Sequence, residues 1–170
     1  SKQWPTRQFK LNSLRIFVVV CGIGMANAAA ATSPFLIHGS FDLVCNYGCS
    51  GAHQENINAR DIVVGTHVAP INACKIRPDG KIHPQGFRRT MDSSSDPSMM
   101  PCCPKMLEIA RTMEAIGLPP WPSTSDTKPA IHFGIVGSSD TWNQQRSRIQ
   151  TIHDVYGTSC EEMEAAAIAT

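Results

Sequence analysis

The chain has 170 residues, one domain's length and enough to bury a sizeable core. Its 15 Lys and Arg against 14 Asp and Glu leave a net charge of +1, which excludes the clustered basic footprint of a nucleic-acid or membrane-surface binder. Aromatic residues make up only 6% while Ala, Ile and Val are plentiful, so the composition favours an α/β protein over an all-β sandwich.

The seven cysteines are odd in number and irregular in spacing, and Cys102 and Cys103 are adjacent. That pattern points to reduced thiols in a cytoplasmic compartment, not a disulfide framework. A zinc site built on Cys45 and Cys49 has little support from their CxxxC spacing, and no metal site is expected. The six histidines, His38, His53, His67, His83, His132 and His153, show no ligand-like pairing in sequence.

In chain order, "RIFVVVCGIG" is a β-branched run ending in glycines, which predicts a buried strand and a tight turn. Together with the alanines that follow, it imitates a secretory leader. Gly22, Gly24 and Asn27 interrupt it, however, and it is too short to span a bilayer. "MANAAAATSPFLIHG" predicts a helix stopped near Gly39, and "FDLVCNYGCSGA" a second strand with a Gly-rich turn. "NARDIVVGTHVAPI" predicts a third strand with Val63, Val64 and Val68 as core.

Residues from about 74 to 104 are rich in Pro, Gly, Ser and charge and predict a long, at least partly irregular excursion within a single domain spanning 1–170. "KMLEIARTMEAIGL" predicts an amphipathic helix with Met106, Ile109, Ala110, Met113 and Ile116 on one stripe and Gly117 as its stop. "AIHFGIVGSSD" predicts a fourth strand, "WNQQRSRIQTIHDVYG" a helix closed by Gly157, and "SCEEMEAAAIAT" the start of a last helix. Glu161, Glu162 and Glu164 crowd that start. Two readings stay open: favourable charge at a helix N-terminus, or a glutamate pointed into a pocket to bind hydroxyls.

Turns of small or polar residues follow several predicted strands, at Gly22 to Gly24, Gly48 to Gly51 and Gly137 to Asp140. In α/β sheets ligands bind outside the carboxyl ends of the strands, and glycine turns let backbone amides approach them. "GIGMANAAAAT", "VCNYGCSGA" with "ARDIVVG", "VGSSDTW" and "EEMEAAAIA" occur in this order. With them the chain resembles the nucleoside phosphorylase and nucleosidase superfamily, in particular members acting on methylthioadenosine and S-adenosylhomocysteine. Its "PWP" and "VGSSDTW" stretches are also similar to plant relatives, including storage-type and cytokinin-riboside-acting proteins.

The resemblance implies a three-layer α-β-α fold around a mixed sheet, incomplete here, and cleavage of the N-glycosidic bond of purine-type nucleosides. It implies no cofactor, with phosphate as a co-substrate only if the protein is a phosphorylase. It also implies a homo-oligomer, a dimer or a trimer or hexamer, in which a loop such as 74–104 closes a partner's site.

The resemblance assigns Glu164 to the ribose 2′ and 3′ hydroxyls, Met163 to packing on the ribose, and Glu162 to shaping the turn. Trp142 matches a base-stacking aromatic, its alternative being a core tryptophan. Cys49, Ser50 and Gly51 match the turn near the ribose and nucleophile, and Gly22, Ile23 and Gly24 the neighbouring edge. Asp140 is expected to cap the helix that follows it. Where family phosphorylases place an arginine, this chain has Asn46, which leans toward water over phosphate as the nucleophile. Arg146 or Arg148 would read a pyrimidine in a uridine-phosphorylase alternative, and a non-catalytic storage relative, vacuolar or secreted, is the other.

The family's nucleophile-activating acidic motif is not found in "SKQWPTRQFKLNS", and the chain ends at Thr170, before the strand whose aspartate protonates the leaving base. General acid–base help is worth roughly 10²–10⁴-fold, so a truncated relative is expected to be impaired on its own.

Overall fold

The computed structural model describes residues 4–87, 98–121 and 128–169. In chain order the elements are β1 (Thr6–Leu11), β2 (Leu14–Val19), α1 (Met25–His38), β3 (Gly51–Ala52) and β4 (Ile62–Pro70). β5 (Cys74–Ile76), β6 (Ile82–Pro84), β7 (Met100–Pro101) and α2 (Pro104–Ile116) follow. β8 (Ile131–Ser138), α3 (Arg146–Tyr156), β9 (Thr158–Glu162) and α4 (Ala165–Ala169) complete the order.

Five strands form a mixed sheet in the order β3-β9-β8-β4-β7. β4, β8 and β9 run parallel, while β3 and β7 pair antiparallel at the edges. Alternate residues of β4 point to opposite faces. Val68 packs with Ala165 and Ala166 of α4 and with Met25, whereas Ala69 packs with Ile71 and with Ile152 and Tyr156 of α3. Helices thus cover both faces, as in an α/β fold. α1 lies against α4, and its Ala28 and Ala31 are buried there because alanine lets two helix backbones approach closely.

The predicted α1, β4, β8, α2 and α3 are all present, and their stops at Gly39, Gly117 and Gly157 are the C-cap residues. Gly157 takes the left-handed conformation at φ 68° that a side chain would resist. α3 starts at Arg146 and not at Trp142, leaving residues 139–145 as a turn. Of the expected β4 core, Val68 is buried and Val63 and Val64 are half-buried.

Four expectations need correction. The run from Phe41 to Cys45 forms no strand. Phe41 instead meets Phe17 and Phe35 edge-on, at ring-centroid distances of 5.6 and 6.4 Å, so its apolar surface is spent on aromatic packing and not in the sheet. "TSCEE" is a strand, β9, so Glu161 and Glu162 lie at a strand's carboxyl end and not in a helix's first turn.

The stripe on α2 faces outward, with Ile109 at 47% and Ile116 at 73% exposure. The helix meets the sheet instead through Arg111, whose guanidinium lies 4.4 Å above the Phe133 ring. The 74–104 excursion is partly irregular, as expected, with three short strands: the β5–β6 hairpin and β7, which pairs with β4. Residues 88–97 of it lie outside the described residues. "RIFVVV" does form a strand, β2, but not a buried one: it pairs antiparallel with β1 in a separate hairpin outside the central sheet, where most of its side chains stay exposed.

Candidate active site

The sheet brings three turns to one edge. β8 ends at Ser138 and β9 at Glu162, in parallel register, so their following turns emerge side by side. The glycine turn before α1 reaches the same place, because Gly24 N–H donates to Glu164 Oε1 at 2.7 Å. Gly24 has φ 96°, a conformation open to glycine, and a Cβ there would stand 3.0 Å from Asp140 Oδ1. Asp140 Oδ1 accepts the Met25 N–H at 2.7 Å. Asp140 therefore caps α1, across the site, and not the helix that follows it. α3 has Gln145 at its N-cap with no side-chain cap bond.

The two distal glutamates are held differently. Glu164 Oε2 accepts the Met163 N–H at 3.3 Å, so its carboxylate bridges its own turn and the glycine turn. Glu162 Oε2 accepts three donors: Asn46 Nδ2 at 2.9 Å and the N–H groups of Glu164 at 2.9 Å and Ala165 at 2.8 Å. Glu162 is thus the acidic cap of α4, and its Oε1 is buried without a hydrogen-bond partner among the described residues. The glutamates thus differ in what they hold. Glu162 serves the helix start, while Glu164 faces the turns. A carboxylate oxygen carries two lone pairs, so Glu164 keeps acceptor capacity for hydroxyls beyond these bonds.

The remaining expected residues fall around this pair. Met163 is half-buried between the glutamates. Trp142 is 76% exposed on the turn after β8, which removes the core reading for it. Cys49, Ser50 and Gly51 are exposed on the segment leading into β3, and Gly51 pairs with Glu161 in register. The Ser50 hydroxyl meets the Cys160 thiol, whose pKa burial pushes up. Gly22 and Ile23 are exposed on the turn before α1. Among the described residues, neither Arg146 nor Arg148 makes a hydrogen bond or ion pair to these carboxylates, and no group of three potential metal ligands comes together.

One cluster was not legible from sequence. Glu161 is 8% exposed and its two oxygens accept the Asn143 N–H at 3.0 Å and the Asn143 side-chain amide at 2.8 Å. His53 Nε2 stands 3.4 Å from Glu161 Oε2, and its Nδ1 is 2.7 Å from Thr158 Oγ1. Burial pushes the His53 pKa down, and the Glu161 charge only partly offsets it. The histidine therefore faces the carboxylate as a neutral ring at neutral pH. An apolar hollow of about 350 Å³ between Phe17, Phe35, His38 and Phe41 lies at the far end of α1, about 20 Å along the helix from these turns.

The sequence model of the phosphorylase superfamily matches residues 1–170. A curated relative, the 5′-methylthioadenosine/S-adenosylhomocysteine nucleosidase of Maridesulfovibrio salexigens, is 26% identical over 161 residues. That match takes in 94% of this chain and 62% of the relative, so the chain spans under two thirds of the relative's length. The Neisseria meningitidis enzyme of that name, solved with methylthio-immucillin-A, superposes with a TM-score of 0.77 at 23% identity, covering 98% of this chain and 65% of that one. The Colwellia psychrerythraea enzyme, solved with adenine, gives 0.72 at 21% identity, covering 99% and 64%. These superpositions show a shared fold, and the match along the whole sequence shows the family: the chain belongs to the phosphorylase superfamily.

Proposed function

We propose that the protein cleaves the N-glycosidic bond of purine-type nucleosides such as methylthioadenosine or S-adenosylhomocysteine, with water as the nucleophile, and that this chain supplies the wall that holds ribose and base. The observation that carries this reading is the meeting of Glu164 with the Gly24 amide beside the exposed Trp142 turn, at the carboxyl ends of β8 and β9. In this reading Glu164 accepts the ribose 2′ and 3′ hydroxyls and stabilises positive charge as the sugar becomes oxocarbenium-like. Met163 packs on the ribose, Trp142 stacks on the base, and Glu162 fixes the turn between them.

Gly24, Cys49, Ser50 and Gly51 border the ribose and the incoming water. Asn46 supports water as nucleophile: its amide is given to Glu162, and it offers no guanidinium to grip a phosphate. No cofactor is required. The proposal includes a homo-oligomer, supported by the exposed apolar stripe on α2, and a cytoplasmic setting, supported by the odd, irregularly spaced cysteines.

Glu164→Gln tests the reading. It keeps the side chain's shape but removes the charge, and base release from methylthioadenosine should fall roughly 10²–10³-fold, the range for losing one aligned electrostatic group. A variant that releases adenine at the native rate would remove Glu164 from the chemistry.

A further inference from the structure

Trp142 is an exposed side chain on a turn with no regular structure of its own, yet stacking requires a fixed ring. Two carboxylates hold the turn. Before Trp142, Asp140 is tied to the Met25 N–H of α1. After it, Asn143 is tied twice to Glu161, through its backbone N–H and its side-chain amide. Glu161 is buried on β9, a strand paired on both sides, so the anchor is rigid. His53 backs it from the other side: its N–H donates to Ser159 O at 2.9 Å, fixing the backbone, and its ring closes on Glu161 Oε2. A buried carboxylate with no Lys or Arg within ion-pair distance among the described residues is costly to keep unless its bonds are used.

We infer that Glu161, backed by His53, is the positioning residue that fixes the Trp142 turn through Asn143 and so sets the affinity for the purine base. This inference rests on the assignment of Trp142 to base stacking made above. Glu161 itself touches no substrate; it acts through Asn143 and the turn.

The test uses the protein labelled with 5-fluorotryptophan, whose fluorine spectrum separates the 3 tryptophans, with Trp142→Phe identifying the signal of interest. Adenine is titrated into native protein, Glu161→Gln, and the double variant Glu161→Gln with Asn143→Asp. Glutamine offers one acceptor where Glu161 has two, so it breaks the side-chain bond. The double variant keeps the backbone bond and restores the side-chain bond with donor and acceptor exchanged, since the amide introduced on β9 then donates to the carboxylate introduced on the turn. The expected result is adenine binding weakened roughly tenfold in the single variant, as for one charge-assisted bond. The Trp142 signal alone should shift or broaden, and both effects should revert in the double variant.

Native-like binding and an unmoved Trp142 signal in Glu161→Gln overturn the inference, as does failure of the exchange to restore them. Should Glu161→Gln not fold, Asn143→Ala removes the same side-chain bond from the half-buried partner and is read the same way. If native protein binds no adenine, the nucleoside reading fails, and the Trp142 signal decides by itself whether Glu161 fixes the turn.

Discussion

Gly24 concentrates the demands on the site at a single residue. Its amide feeds Glu164, its φ of 96° needs glycine, and Asp140 leaves no room for a Cβ without shifting. Gly24→Ala should cost about 1–3 kcal/mol, the range for a residue forced into a sparsely populated backbone conformation, and should weaken adenine binding as the turn moves. Urea unfolding with the slope held fixed measures the first, and a loss under about 0.5 kcal/mol would mean the turn relaxes freely. The glycine turns and glutamates were legible in the sequence because their residue types are unusual where they stand. The His53–Glu161–Asn143 cluster was not, because its members are brought together only by the pairing of β3 with β9 and the path of the turn after β8. Asp140 misled for a related reason: a carboxylate just before a helix suggests a local cap, whereas its partner is the start of α1.

The elements were legible where periodicity and apolar content agreed, as in α1, β4 and β8, and less so where they did not. β9 reads as polar, yet Thr158, Ser159 and Cys160 are buried, because the strand lies between β3 and β8 and its small side chains fit tight spaces. One such space is made by Gly134 on β8, where any Cβ would overlap Ser159 Oγ and Cβ. Gly134→Ala should therefore destabilise by roughly 1–3 kcal/mol as overpacking, and Gly134→Ala with Ser159→Gly should recover part of it. Equal stability of the single variant would show that β8 and β9 part easily.

At the opposite end of the sheet, Asp61 ties the start of β4 to that of β8. Its carboxyl accepts the Asn58 and Ala130 N–H groups at 2.9 Å each and lies 3.1 Å from His132 Nε2. The Asn58 amide, then the Ala130 amide, then His132 hold its pKa down at about 2, below the ordinary 3.8. A depressed carboxyl adds stability that is complete above the unfolded value and is lost as pH falls through the folded one. Stability should thus decline between about pH 4 and pH 2, and Asp61→Asn should flatten that decline in acid unfolding followed by circular dichroism. An unchanged acid limb in the variant would assign it to other carboxyls.

Across the whole molecule, the sequence composition set the class correctly, because alternating apolar strands and alanine-rich helices have few ways to bury themselves other than a sheet covered on both faces. It did not show how much apolar surface stays uncovered in this chain: the β1–β2 hairpin exposes Phe9, Leu11 and Leu14, and α2 exposes its stripe. Nor does any described helix have the length and apolar content to cross a membrane, so that surface is not a helical span. The candidate site is global as well, since the turns before α1 and after β8 and β9 come from separate stretches of the chain and meet only in the fold.

The central claim is that these turns serve hydrolysis of a purine-type nucleoside. The measurement that tests it most directly is release of free adenine from methylthioadenosine by the purified full-length protein, followed by chromatography in buffer scrubbed of phosphate and again with phosphate added. The same release is expected in both. Release only with phosphate would contradict the claim by making the protein a phosphorylase despite Asn46, and no release by well-folded protein would contradict it in favour of a binding or storage role.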